Sequence, residues 1–354
     1  MEEIQLLEPA HKSSTERLQA FEWPQKPEAT SGSSEPTASA DSTVQGEDAL
    51  EVISGDRSMP RPVRFAWNGI AKGDEQPAYD LHVSTDSAFE NPIVLRDISE
   101  PCCSVVNLHI GTRYLWKVIA RDGASTLAES PVWEFTTHSS TPRWLRVLGI
   151  TNVRDLGGWP LPRNRRIRQG MMYRSSEMHG HVDITEEGRK VLIEELEIRT
   201  DDDLRGSSEE PRAVLDQSRV EWMNIPISPY GHLVEDEHRE SYRQIFAVFA
   251  DPAAYPILFH CWGGCDRGGT VAFLHNALLG LDMNSLIRDY ELSSLSIWGE
   301  RSHQSDNFQS LLTALLPFGA GKDDIGTRVE GYLDSIGVTA EEIASIRRAA
   351  IQDA

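Results

Sequence analysis

The stretch Tyr255-Pro-Ile-Leu-Phe-His-Cys-Trp-Gly-Gly-Cys-Asp-Arg-Gly-Gly-Thr-Val-Ala-Phe-Leu274 decides the fold of the larger part of the chain. It opens with a short apolar run fit for a buried strand. Val271, Leu274 and Leu278 then recur at helical spacing until Gly280 closes the pattern. Between strand and helix lies Cys261-x5-Arg267, with Gly263 and Gly264 inside it. A bare Cys-x5-Arg pair is a weak signal. A cysteine closing a strand, glycines in the loop and an arginine opening a helix make a much stronger one. That layout aims backbone N–H groups and the positive end of a helix at one spot, which is an anion pocket.

Each residue type in the loop then has a task in phosphate ester cleavage. Cys261 is the nucleophile, its thiolate stabilised by loop amides and the helix end. Arg267 offers a planar fork that matches two phosphoryl oxygens and stays charged. Trp262, Gly263, Gly264, Cys265 and Gly268 surround the phosphate, and Asp266 is the nearest acid for the leaving oxygen. His260 either orients Cys261 through the backbone or is a core histidine bonded to main chain. No metal or other cofactor is implied, since the His, Cys and Asp residues here lack ligand spacing.

Working outward, strands alternate with helical periods from about Trp144, which predicts an α/β unit over residues 141–354 with a central, mostly parallel sheet flanked by helices. The strands are Ile198 to Leu204, Trp222 to Ile227 and Tyr255 to Phe259. Helices are expected at Glu186 to Leu196 with Thr185 as N-cap, at Glu240 to Ala250, after Arg267, at Met283 to Leu295 and at Phe308 to Leu316. A last one, beginning near Thr339, ends the chain. Upstream, Val63-Arg-Phe-Ala-Trp67, Ala78 to Val83, Tyr114 to Ile119 and Val132-Trp-Glu-Phe135 alternate with period two between turn-forming groups such as Asn68-Gly69 and Asp122-Gly123. Residues 56–140 are therefore expected to form a small β-sandwich. Residues 1–55 are rich in Ser, Thr, Glu and Pro and read as a disordered acidic tail, with a short helix at Ser14 to Phe21 as its one candidate element.

The formal net charge of -21 argues against nucleic acid and anionic membranes as partners. It also makes any phosphate pocket a local positive exception. The chain start lacks a secretory pattern, no apolar run has membrane-spanning length, and four cysteines do not make a disulfide framework. A cytoplasmic setting is the default expectation.

His260-Cys261-x-x-Gly264-x-Asp266-Arg267 resembles the signature of the protein tyrosine phosphatase superfamily. Within it, the chain resembles the bacterial and fungal tyrosine/serine, dual-specificity and lipid-like phosphatases, whose loop reads His-Cys-x-x-Gly-Lys-Asp-Arg-Thr-Gly. Thr151-Asn-Val-Arg-Asp-Leu-Gly-Gly-Trp159, Gly170-Met-Met-Tyr-Arg-Ser175, Ile184-Thr-Glu-Glu-Gly188, Asp203-Leu-Arg205 and Val329 to Val338 match that family's other blocks in order. The resemblance implies a phosphocysteine mechanism, with Arg154, Asp155 and Arg205 (and Arg174 beside them) as braces of the loop or as structural ion pairs. Residues 56–140 resemble a fibronectin type III domain, with Trp67 on its second strand and Leu108, Tyr114, Trp116 and Val118 as its corner and core. Such a domain would mediate protein contacts.

Two loop positions depart from the pattern. Cys265 replaces the usual Lys, which removes a cation and tilts the substrate from phosphoinositides or inositol phosphates towards phosphoproteins. It is either a small apolar filler or the partner of Cys261 in a reversible disulfide. Gly268 replaces a Thr or Ser whose hydroxyl would assist phosphoenzyme breakdown. Many superfamily members carry the acid after an Ile-Pro strand end, but Ile225-Pro-Ile-Ser-Pro-Tyr230 has no carboxylate. The acid is then Asp266, or one of Glu235, Asp236 and Glu237. Trp262, Tyr230 and Trp298 are candidates to stack on a substrate ring. The competing readings are an inositol phosphate phosphatase, a sulfurtransferase, and a pseudophosphatase that binds phosphorylated partners without cleaving them.

Overall fold

The computed structural model describes residues 4–14, 53–70, 77–319, 321–322 and 324–354. Its first nine strands are β1 (Leu6–Glu8), β2 (Ser13–Ser14), β3 (Val63–Trp67), β4 (Ala78–Ser84), β5 (Ile93–Ile98), β6 (Cys102–Val105), β7 (Arg113–Asp122), β8 (Ser125–Glu129) and β9 (Trp133–Thr136). They form two sheets, β1-β3-β6 and β2-β9-β7-β4-β5, with β8 paired to β7. The period-two alternation places Tyr114, Trp116, Val118 and Ala120 of β7 in one core with Phe65, Trp67 and Phe135. Phe65 meets Trp116 edge-on at 5.1 Å. Leu108 is buried in the same core, and the Tyr114 hydroxyl accepts from His109 N at 2.9 Å.

The start of the chain departs from the expected tail. Ile4 and Leu6 are buried, β1 pairs antiparallel with β3, and β2 pairs parallel with β9. Ile4-x-Leu6 gives even this acidic stretch one apolar face, enough to cover an open strand edge. Trp67 accordingly lies on the third strand in chain order. The helix expected at Ser14 to Phe21 and the body of the tail fall outside the described residues.

The α/β unit is built on β10 (Arg143–Trp144), β11 (Arg154–Asp155), β12 (Pro160–Leu161), β13 (Arg165–Ile167), β14 (Met172–Ser175), β15 (Thr200–Asp203), β16 (Glu221–Asn224), β17 (Ile257–His260) and β18 (Ile351–Asp353). Its main sheet runs β10-β11-β14-β17-β15-β16, with the last four strands mutually parallel. The helices are α1 (Glu186–Lys190, continued by a π turn), α2 (Asp236–Ala250), α3 (Arg267–Leu278), α4 (Met283–Glu291), α5 (Asp306–Leu315), α6 (Ile325–Ser335) and α7 (Ala340–Ala350). Thr185 caps α1, its hydroxyl accepting from Gly188 N, and Thr339 and Glu342 form a capping box on α7. The chain does not end on that helix. Residues 351–353 leave it to pair antiparallel with β13. No helix among the described residues is long and apolar enough to cross a membrane.

Side chains join the sandwich to the α/β unit by imitating backbone. Gln169 donates to Ile110 O and accepts from Ile110 N, both at 2.9 Å. Asn107 does the same to Arg146, at 3.1 and 2.7 Å. Buried Arg143 donates to Asn107 O, to Leu108 O at 3.2 Å and to Asp155 at 2.9 Å.

Candidate active site

Strand β17 is buried along its whole length and delivers Cys261, 2 % exposed, at its C-terminal end in the middle of the sheet. Helix α3 leaves from Arg267, and every residue from Gly268 to Leu278 is buried, so the loop between them is clamped at both ends. Gly264 has φ +66°, and a Cβ there would lie 2.3 Å from Ser175 O. Only glycine fits that backbone and that approach.

The loop carbonyls turn inward. Trp262 O accepts from Glu177 N at 2.8 Å, Gly263 O from Asn152 Nδ2 at 3.0 Å, and Gly264 O and Cys265 O from Arg174, the latter at 3.4 Å. The N–H groups of Trp262, Gly263, Gly264, Cys265 and Asp266 find no acceptor among the described residues. Five donors left over beside a thiol form an anion cradle, because unpaired N–H groups persist in a packed fold only where water or a ligand meets them.

Beneath the cradle, Arg154 and Arg174 share one carboxylate, Asp289, at 2.9 and 3.0 Å, and Arg154 also holds the Asn152 side chain. Two buried cations against one anion leave a surplus positive charge under the loop. Burial first, and Arg154 second, push Arg174 down to about 10, while Asp289 and the two loop cysteines oppose them. Both arginines brace the loop: Arg174 directly, Arg154 through Asn152.

The other expected braces act elsewhere. Asp155 does not reach the loop. It accepts from Gly157 N and Gly170 N, both at 2.7 Å, and from Arg143. It fixes the turn after its own strand and the seam to the sandwich, because its neighbour Arg154 takes the loop-facing side of β11. Arg205 pairs with Asp203 at 2.8 Å and Glu177 at 3.0 Å. It touches the loop only through the strand end that it stiffens. Among the described residues the His260 ring bonds no main-chain group; it lies 3.2 Å from Asp201 and 3.9 Å from Asp203. Burial opposes its charge, but those carboxylates overcome that and raise its pKa above the usual imidazole value.

Arg267 is held by a residue that the sequence did not single out. Glu209 accepts from Nη1 at 2.6 Å and from Nη2 at 2.7 Å. This fork-to-fork pairing fixes the guanidinium plane. Among the described residues Nε takes no acceptor, so that edge is left open. Asp266 is also engaged. Arg301 donates to both of its oxygens, each at 2.9 Å, and the Tyr230 hydroxyl donates to Oδ1. Tyr230 has φ +61° and bonds Tyr290 at 2.8 Å. These groups line a cavity of about 700 Å³ that runs from Arg267 and Asp266 past Tyr230 and Tyr290 to Arg301. Glu235, Asp236 and Glu237 do not line it. Glu235, Glu237 and His238 do bring three possible metal-ligand atoms within 4.8 Å of one another, near the start of α2.

Trp262 stands out of the loop, 41 % exposed, with His181 stacked on it at 4.1 Å. Trp298 packs against Gly263 and donates to the Thr151 hydroxyl at 2.8 Å. Cys265 points inward, donating to Gly263 O at 3.2 Å and accepting from Asn152 at 3.5 Å. Burial pushes its thiol up to about 11, against the pull of Arg301. A Cβ on Gly268 would be 3.8 Å from Phe259 and 4.0 Å from Cys261 Sγ, which is ordinary contact.

Comparison with known proteins bears on the same region. The pattern of the family described as "Tyrosine phosphatase family" matches residues 145–352, more than half of the chain. A protein of Cupriavidus necator named as a tyrosine-protein phosphatase is 28 % identical over 167 residues, 40 % of this chain. The match spans 59 % of that relative's length. Among solved structures, the core catalytic domain of the PP-IP phosphatase SIW14 from S. cerevisiae, in complex with citrate, is 17 % identical. It covers 40 % of this chain and 81 % of that one, with a TM-score of 0.28. An Fn3-like protein from Clostridium thermocellum is 16 % identical, covering 26 % of this chain and 88 % of its own with a TM-score of 0.19.

Proposed function

Because the chain belongs to the tyrosine phosphatase family, a class of phosphate-ester hydrolases, we propose that it hydrolyses phosphate monoesters through a phosphocysteine on Cys261. The observation that carries this reading is the row of five loop N–H groups beside Cys261 that find no acceptor among the described residues, set above a surplus buried charge. The substrate phosphate sits in those N–H groups, with a further oxygen on Arg267. The Cys261 sulfur forms an S–P bond as the ester P–O bond breaks. The bonding pair leaves on the ester oxygen, which takes up a proton. Water then attacks phosphorus, the S–P pair returns to sulfur, and inorganic phosphate departs.

Asp266 is the nearest acid for the first step, yet its oxygens accept from Arg301 and Tyr230. That favours a leaving group that needs little protonation. A tyrosine phenolate, with a conjugate-acid pKa of about 10, leaves far more readily than a serine alkoxide. Phosphotyrosine on proteins is therefore the first substrate and phosphoserine or phosphothreonine the second. We assign residues 141–354 to this activity and the preceding sandwich to a fibronectin type III-like domain that contacts proteins. The test is phosphate release from p-nitrophenyl phosphate and a tyrosine phosphopeptide in reductant with chelator. Turnover of both is expected. Tight peptide binding without any release would leave a phospho-binding module instead.

The missing hydroxyl at position 268 gives a second expectation. A Cβ is accommodated there 4.0 Å from Sγ. Gly268→Thr should raise kcat by about tenfold, the worth of one hydrogen bond to a charged group, with kcat/KM little changed. Pre-steady-state kinetics should show the burst of the parent protein shrink. An unchanged burst would mean that phosphoenzyme breakdown does not limit turnover.

A further inference from the structure

The geometry points to Arg301 as a second anion clamp, which takes an anionic group of the substrate other than the scissile phosphate. The inference rests on the phosphatase reading and names a class of substrate for it: phosphate monoesters that carry a second negative group, either a carboxylate or another phosphate.

Three observations converge. The first is position. Arg267 and Arg301 line one cavity, and its volume of about 700 Å³ suits a drug-sized ligand rather than a lone phosphate. Ser228, Ser302, Ser305 and Asn307 supply hydroxyl and amide groups along the way. The second is rigidity. Arg301 Nη1 donates to Trp298 O, Glu300 O and Gly299 O at 3.0, 3.1 and 3.3 Å. A guanidinium tethered to three carbonyls cannot swing away, so an incoming anion meets its Nε/Nη2 edge where it stands. The third is the present occupant. That edge holds Asp266, whose side chain is 38 % exposed and which the phosphatase reading casts as the acid rather than as half of a structural pair. Asp266 fills the place of an anion, as a counter-ion does in an empty site.

Cys265 gives the arrangement its context. The loop carries no cation of its own at that position, and Arg301, from a segment more than thirty residues downstream, holds the next loop residue, Asp266. In a protein of net charge -21, a fixed guanidinium facing a cavity is a local exception that an anionic ligand would find. When such a group takes the Arg301 edge, Asp266 loses its cation and keeps only Tyr230. It can then carry the proton that passes to the leaving oxygen as the P–O bond breaks. The same substrate feature thus serves recognition and the acid step.

The test measures binding to a Cys261→Ser protein, which needs no turnover. Two ligand pairs are titrated: a tyrosine phosphopeptide flanked by Glu against its Gln-flanked counterpart, and fructose 1,6-bisphosphate against fructose 6-phosphate. About a tenfold preference for the doubly anionic member of one pair is expected, the scale of a single charge-assisted contact. Arg301→Gln in the same background should bring that pair close to parity. The pair that responds identifies the second group as carboxylate or phosphate. Parity in both pairs with Arg301 present, a preference that survives Arg301→Gln, or equal weakening of both members would each overturn the clamp. Should Arg301→Gln fail to fold, Arg301→Lys keeps the charge without the fork, and a preference undiminished in it would overturn the clamp as well. Absence of turnover by the unmodified protein would sink the phosphatase reading while leaving this comparison intact.

Discussion

In Cys261→Ser protein, phosphate release from p-nitrophenyl phosphate and from a tyrosine phosphopeptide falls by about 10⁴-fold or more, because a serine hydroxyl in the same place is a far weaker nucleophile than a thiolate. Binding of the phosphopeptide survives. The cradle consists of backbone N–H groups whose carbonyl sides are held by Glu177, Asn152 and Arg174, and none of those contacts involves the sulfur. The two readouts therefore separate. Loss of release with binding retained assigns the chemistry to Cys261. Release that continues within tenfold of the parent would place the nucleophile elsewhere and end the phosphocysteine account.

Arg267→Lys lowers kcat/KM on the order of 10²–10³-fold, the usual cost of one misplaced transition-state donor. If charge alone mattered, lysine would be nearly as good. The pairing with Glu209 says otherwise. Arginine binds both carboxylate oxygens at 2.6 and 2.7 Å and still presents its Nε edge, whereas a lysine ammonium cannot do both in one fixed plane. Steady-state kinetics on the phosphopeptide check this. A loss of less than tenfold would show that the field of the loop and of Arg174 suffices without the fork.

How much of this was legible in the sequence depends on how local each cause is. The strand into Cys261, the glycines of the loop and the apolar helix after Arg267 are neighbours in the chain, so their types and spacing carry the information. Gly264 is an example, because its left-handed backbone and the approach of Ser175 leave no alternative residue. The partners of the loop are not local. Asp289 lies over a hundred residues from both arginines that it joins. Arg301 sits in a segment with no periodicity at all. Glu209 follows the Asp203-Leu-Arg205 block by four residues, with no motif to mark it. Their roles come from where the sheet order brings them, which no window of sequence contains. Which of its two open roles, loop brace or structural ion pair, Asp155 takes was hidden for a related reason. It adjoins Arg154, but on a strand adjacent side chains point to opposite faces, so one reaches the loop and the other the seam. The first residues of the chain were misread because an acidic composition hid the single alternation Ile4-x-Leu6.

The seam between sandwich and α/β unit limits how far the two halves can be treated as interchangeable modules. Asn107, Arg143 and Gln169 bond across it through side chains that stand in for missing strands, Gln169 on the backbone of Ile110. A recombination that replaced one half would leave those amides and that guanidinium facing strangers. Any transplant of the sandwich, in evolution or in the laboratory, must carry the seam along with it, so the unit of inheritance is the pair rather than either half.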